Sequence, residues 1–146
     1  MGLIMNYTVV KILVYIATLT LEYENMDPSA AFNTATIAKM VGSELVESML
    51  ISYQETMQVQ LPKLVEISAT QSVSDLHRLV HSMKSSARFI GCDTLSELCF
   101  QLEMKTAADP LWHASYAKKI AELCQCSRDV LGQIAIYVEQ QKVSSR

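Results

Sequence analysis

The 146-residue chain is poor in the residues that punctuate turns, with three prolines and four glycines. Too few positions remain for the many tight turns of an all-β fold. Stretches rich in Val, Ile and Thr are also scarce after residue 25, which points to helices. An excess of one charge is missing as well, since 12 Lys+Arg stand against 15 Asp+Glu for a formal charge of −3. No basic footprint is available for nucleic acid, and that partner class is set aside. Neither a GxxxxGK[ST] loop nor a kinase-type glycine-rich loop occurs, so no nucleotide site is expected. A Gly-x-Ser-x-Gly elbow is absent and no acid is in view to orient a base, which leaves a hydrolytic triad unsupported. The four cysteines, Cys92, Cys99, Cys124 and Cys126, all fall in the second half. Cys124-x-Cys126 lacks the second ligand pair of a zinc site, and a disulfide between residues two apart would be strained. Reduced, structural thiols are expected.

What is present is apolar material. Half the residues are hydrophobic, and a chain of this length buries roughly 68–70 % of its unfolded surface as one domain. Disorder is excluded for the chain as a whole. Residues 1–25 read as an apolar N-terminal extension and 26–146 as the helical domain. Within the extension, residues 3–21 (LIMNYTVVKILVYIATLTL) are apolar on every side, interrupted by Asn6 and Lys11. A membrane helix needs about 20 mostly apolar residues, and a lysine near its centre costs about 2.5–3.5 kcal/mol. Membrane association is therefore open but not favoured; a helix or strand packed on the domain or on a second copy (self-association), and an upstream extension outside the working module, are the other readings. A cleaved signal peptide is rejected, because the only lysine sits inside the apolar run instead of ahead of it.

From Asp27-Pro28 onward the pattern is helical. Asp27 as cap and Pro28 at the first helical position open a short helix that ends near Val41 at Gly42. Ser43 is expected to cap a second helix with an apolar stripe of Leu45, Val46, Met49, Leu50, Tyr53, Met57, Leu61, Leu64 and Val65, kinked or split at Pro62. Residues 68–72 read as a loop. A third helix spans about Ser74 to Ile90 and stops at Gly91. A fourth opens with a Thr94/Glu97 capping box, shows Leu95, Leu98, Cys99 and Leu102 on one side, and ends at Asp109-Pro110. A fifth runs from about Leu111 to Gln140, with His113 as a surface residue near its start. Helices joined by short loops give an all-α, antiparallel four-helix bundle with a short preceding helix.

The third helix carries the chemistry. With His81 at 0° and about 100° per residue, Leu76, Leu79, Val80, Met83, Ala87 and Ile90 fill an arc from roughly 160° to 260°. Ser74, His77, Lys84, Ser85 and Arg88 lie within roughly 60° of His81. An imidazole on the polar side is not a packing residue. A solvent-facing imidazole titrates near about 6.5, so at pH 7 one ring nitrogen keeps a free lone pair and can act as a nucleophile. Lys84 and Arg88 would offset the charge of a phosphoryl group there, and small Ser85 leaves the ring accessible. A zinc site at His77 and His81 is not expected, because the H-E-x-x-H acid is absent and two cations would oppose the ion.

The run His81-Ser-Met-Lys84-Ser85-Ser86-Ala-Arg-Phe-Ile-Gly91-Cys-Asp-Thr-Leu95, followed by Leu98 and Leu102-Glu103, resembles the signature of the histidine-containing phosphotransfer (HPt) domains of bacterial multistep phosphorelays. The helix layout is similar over about residues 28–140, and the specific part covers 81–103. The departure is Ser85, where the family usually has glycine. The resemblance implies a four-helix bundle whose His81 accepts a phosphoryl group from one receiver-domain aspartate and passes it to another. Lys84 would be electrostatic support and Ser85 a steric gate, with His77, Arg88 and Ser74 flanking the docking surface. The implied partners are the receiver domains of a hybrid sensor histidine kinase and of a response regulator. Magnesium would sit on the receiver, so the chain itself needs no cofactor and acts as a carrier more than an enzyme, in the cytoplasm. The rival reading is a receiver-binding scaffold or decoy with the same bundle. Met1 and the short tail after Gln140 favour a free-standing chain, and removal of residues 1–22 is expected to spare phosphotransfer.

Overall fold

A computed structural model describes residues 31–145 together with the isolated position Leu13. The apolar segment 3–21 and the Asp27-Pro28 cap lie outside this range, apart from that one leucine. Five α-helices follow one another: α1 (Thr34–Val41), α2 (Val46–Thr70), α3 (Val73–Phe89), α4 (Asp93–Ala108) and α5 (Ala114–Ser144), with a single 3₁₀ turn at Ser43–Leu45 before α2. Among the described residues there is no strand and no helix long and apolar enough to cross a membrane.

The helices α2 to α5 pack in a ring, each against its chain neighbour, with α5 closing on α2, while α1 lies against the start of α2. Connections of a few residues force antiparallel neighbours, which is the expected bundle. The apolar arc of α3 faces inward as its spacing requires: Leu76, Val80, Met83, Ala87 and Ile90 are buried, and Leu79 is half-buried. They meet Leu50, Met57 and Leu64 of α2, Leu95 and Leu102 of α4, and Leu123, Val130 and Ile134 of α5 in one core. Each such side chain contributes about 1.5–3 kcal/mol by leaving water. Leu45 and Val65, assigned to the α2 stripe, are instead exposed.

Several local expectations are corrected. Pro62 does not split α2, which runs unbroken from Val46 to Thr70; packing of its buried face on three neighbouring helices outweighs the bond that proline cannot donate. The same packing carries α2 through most of the expected 68–72 loop, so that only Gln71, with φ 57°, and Ser72 remain as a connection. Ser43 lies in the 3₁₀ turn and makes no side-chain capping bond. Thr94 is not the cap that a Thr94/Glu97 capping box requires, since α4 begins at Asp93 with Cys92 in the cap position. Cys92 is drawn fully into the core, which starts the helix two residues early. At α5 the Asp109 side chain accepts from the Leu111 amide at 3.2 Å, and His113 Nδ1 caps the helix by accepting from the Ser115 amide at 3.2 Å.

The α3–α4 corner anchors α1. The Asn33 amide donates to the Ile90 carbonyl at 2.9 Å, and the Asn33 side chain caps α1 by accepting from the Thr36 amide at 3.1 Å. Gly91 has φ +69°, and a Cβ there would stand 2.7 Å from the Asn33 Cβ. Only glycine suits both the backbone and the space. All four cysteines are buried and outside any disulfide, and burial pushes the Cys99 thiol up to about 12, the state of a structural thiol.

Candidate functional site

The sequence of α3 places its polar face along the groove towards α4. His81 stands mid-helix with its side chain 62 % exposed. Its Nδ1 lies 2.5 Å from Glu103 Oε1 on α4. Lys84, one turn on, donates to the other oxygen of the same carboxylate. Both partners of that ion pair are nearly covered, at 13 % and 15 % side-chain exposure. Lys84 also lies over the Phe100 ring, 5.6 Å from its centroid, which shields the pair further. The Lys84 ammonium, and after it the His81 ring, hold the Glu103 carboxyl below the usual carboxylate range. Glu103 is thus an ionised acceptor, with each oxygen engaged by a different side chain.

This arrangement fixes the imidazole. A carboxylate can only accept, so His81 Nδ1 carries the proton and donates it. The lone pair is left on Nε2, on the side of the ring away from Glu103. The bond also limits rotation of a side chain that is otherwise open to water.

The remaining expected residues are distributed along the same face. Ser85 is exposed, and its hydroxyl makes only a long bond of 3.4 Å to the His81 carbonyl, so no bulk covers the ring from that turn. Arg88 and Ser74 are exposed at the two ends of α3. His77 is half-buried and turns to α4, where its Nδ1 lies 2.9 Å from Thr106 Oγ1. The structure therefore brings His81 and Lys84 together on one carboxylate, and gives His77 a separate anchor one turn earlier. His113 caps α5 and takes no part in the groove.

Glu103 and Thr106 are the residues the sequence reading assigned no role. The expectation that no acid orients the imidazole is overturned by Glu103. The helical period carries only a partial signal: Thr106 continues the Leu95–Leu102 stripe and Glu103 borders it, but nothing along α4 names α3 as the helix they meet. Among the described residues no group of three or more His, Cys, Asp or Glu is gathered to hold a metal ion.

Comparison with known proteins accords with this geometry. Residues 48–140 match the family model described as Hpt domain. The chain is also similar to the sensor protein TorS of Escherichia coli strain K12, at 33 % identity over 89 residues, covering 59 % of this chain and 9 % of TorS. The chain therefore spans only a small part of the length of that relative. No solved structure matches at comparable stringency.

Proposed function

The chain belongs to the Hpt domain family, whose members carry phosphoryl groups on histidine in phosphorelays, and from that premise we propose that His81 is the phosphoacceptor. The observation that carries the reading is the exposed His81 imidazole, whose Nδ1 is committed to Glu103 and whose Nε2 is left as the nucleophile.

On this reading a receiver domain bearing an aspartyl phosphate docks on the α3 face. The Nε2 lone pair attacks phosphorus, the N–P bond forms, and the acyl P–O bond breaks to release the aspartate carboxylate. Glu103 keeps the Nδ1 proton in place as the ring becomes cationic, which disperses charge while Nε2 bonds to phosphorus. Lys84 balances Glu103 and adds positive potential near the arriving oxygens. Small Ser85 admits the receiver, and Arg88, His77 and Ser74 border the contact. Reversal of the same step on a second receiver passes the group on. The donor would be a hybrid sensor kinase receiver and the acceptor a response regulator, with magnesium on the receiver and the exchange taking place in the cytoplasm. The chain is then a carrier whose chemistry the partner completes.

Incubation with a phosphorylated receiver domain should yield an acid-labile, base-stable phosphate that maps to His81 and vanishes in His81→Ala. A label that persists in His81→Ala refutes the assignment. A receiver complex that survives the substitution, with no transfer in the parent protein either, supports the docking scaffold instead.

A further inference from the structure

His77 is the group on this face that the transfer step leaves unused. Its ring is set by a buried hydroxyl: Thr106 is 5 % exposed, and its Oγ1 donates to the Leu102 carbonyl at 2.8 Å, with the Glu103 carbonyl at 3.0 Å. A hydroxyl has one proton to give. With that proton spent on backbone carbonyls, Thr106 Oγ1 accepts from His77 Nδ1 at 2.9 Å. His77 therefore has the same tautomer as His81, with a bare Nε2. His77 also lines a cleft of about 480 Å³ together with Ser74, Arg78, Thr106 and Pro110. Two histidines four residues apart on a helix are neighbours, with Cβ atoms about 5–6 Å apart. Both rings are also held towards α4, by residues three apart on that helix.

Resting on the phosphocarrier reading, we infer that His77 is a positioning residue for the phosphorylated state: its Nε2 takes a proton from water and donates it in a hydrogen bond to the phosphoryl group on His81. A phosphoryl group brings about 1.5–2 negative charges and three acceptor oxygens. A bare Nε2 facing those oxygens is lone pair against lone pair, whereas the imidazolium turns the contact into a charge-assisted bond. The charged neighbours of His77 and Thr106 along their helices are engaged, Lys105 of α4 with the Ser115 hydroxyl. Arg78 is paired with Asp75 on α3, and Glu103 of α4 is paired with Lys84 and His81. The new dianion then adds negative charge that neither of these pairs balances. Loss of the phosphoryl group passes through a loose, metaphosphate-like state in which charge on the oxygens is spread. A donor bound to the dianion stabilises the starting state more, and hydrolysis slows.

The test uses the whole chain loaded with phosphoramidate, which phosphorylates histidine without a receiver. At pH 7 the nitrogen resonance of His77 Nε2 should be that of a bare nitrogen before loading and of a protonated one after it. His77→Asn can still donate to Thr106 but has nothing at the Nε2 position; it should shorten the phospho-His81 half-life roughly fivefold, the order of one charge-assisted bond at a partly exposed site. His77→Gln places an N–H near that position and should recover part of the loss. An Nε2 signal that does not move on loading, or a His77→Asn half-life equal to or longer than that of the parent, overturns the inference and leaves the carrier reading intact. Failure to load His81 at all overturns both.

Discussion

Replacing Glu103 by glutamine keeps the size of the side chain and removes its charge, so it isolates what the carboxylate does for His81. The amide has one acceptor oxygen and one NH₂ where the carboxylate has two acceptors. Lys84 can only donate and will claim the oxygen, which turns the NH₂ towards His81. Nδ1 must then accept, the proton moves to Nε2, and the nucleophilic lone pair is lost. A hydrogen bond to a charged group contributes about 1.5–3 kcal/mol. With His81 62 % exposed, solvent screening places the tautomer bias near the low end, about 1.4 kcal/mol, or roughly tenfold in reactive rings. Glu103→Gln should therefore lower the first-order rate of phosphoryl transfer from a phosphorylated receiver by roughly tenfold, and leave the half-saturating receiver concentration within about twofold. Nitrogen NMR of the imidazole should show the proton moved from Nδ1 to Nε2. A variant that transfers at the parent rate, or one whose loss lies wholly in receiver affinity with Nδ1 still protonated, refutes the orienting role.

Two further outcomes follow from the same contacts and from α2. The Glu103 carboxyl is held below the carboxylate range by Lys84 first and His81 second. A depressed acid stabilises the fold fully above its unfolded value of about 4.3, and that contribution is lost as pH falls through the lower folded value. Urea midpoints of the parent should thus fall relative to Glu103→Gln below about pH 4.5; a constant difference from pH 7 to pH 3 would contradict the linkage. Pro62 is exposed inside α2, where it leaves a carbonyl one turn back without its amide partner. Pro62→Ala should raise stability by about 1–3 kcal/mol with an unchanged denaturant slope, and a lowered urea midpoint would show that the proline is needed where it is.

The bundle was legible because α3 obeys its period so closely. Its apolar residues every third or fourth position went to the core, and His81, on the opposite side, stayed in water. Helix ends were less legible. The start of α4 depends on Cys92 being pulled inward, and the continuity of α2 through Pro62 depends on packing across three helices. Neither is a property of the local sequence. Exposure of Leu45 and Val65 has the same origin, since a period marks a face but not how much of it the neighbours cover. At the site, Lys84 and Ser85 could be placed from α3 alone. Glu103 could not, because the contact that gives it meaning joins residues 22 apart and exists only once α4 lies beside α3.

His77 and His81 take their orientation from oxygens borne on α4, not from α3 itself. The proposed nucleophile thus stands on one rod and is aimed by another. The reactivity of His81 should then track the mechanical integrity of α4: loosening its leucine-filled underside, far from any histidine, would free both rings together. Amide exchange along residues 99–106 would register such slackening before any loss of the bundle as a whole, and would forecast which remote changes silence the chain while leaving it folded.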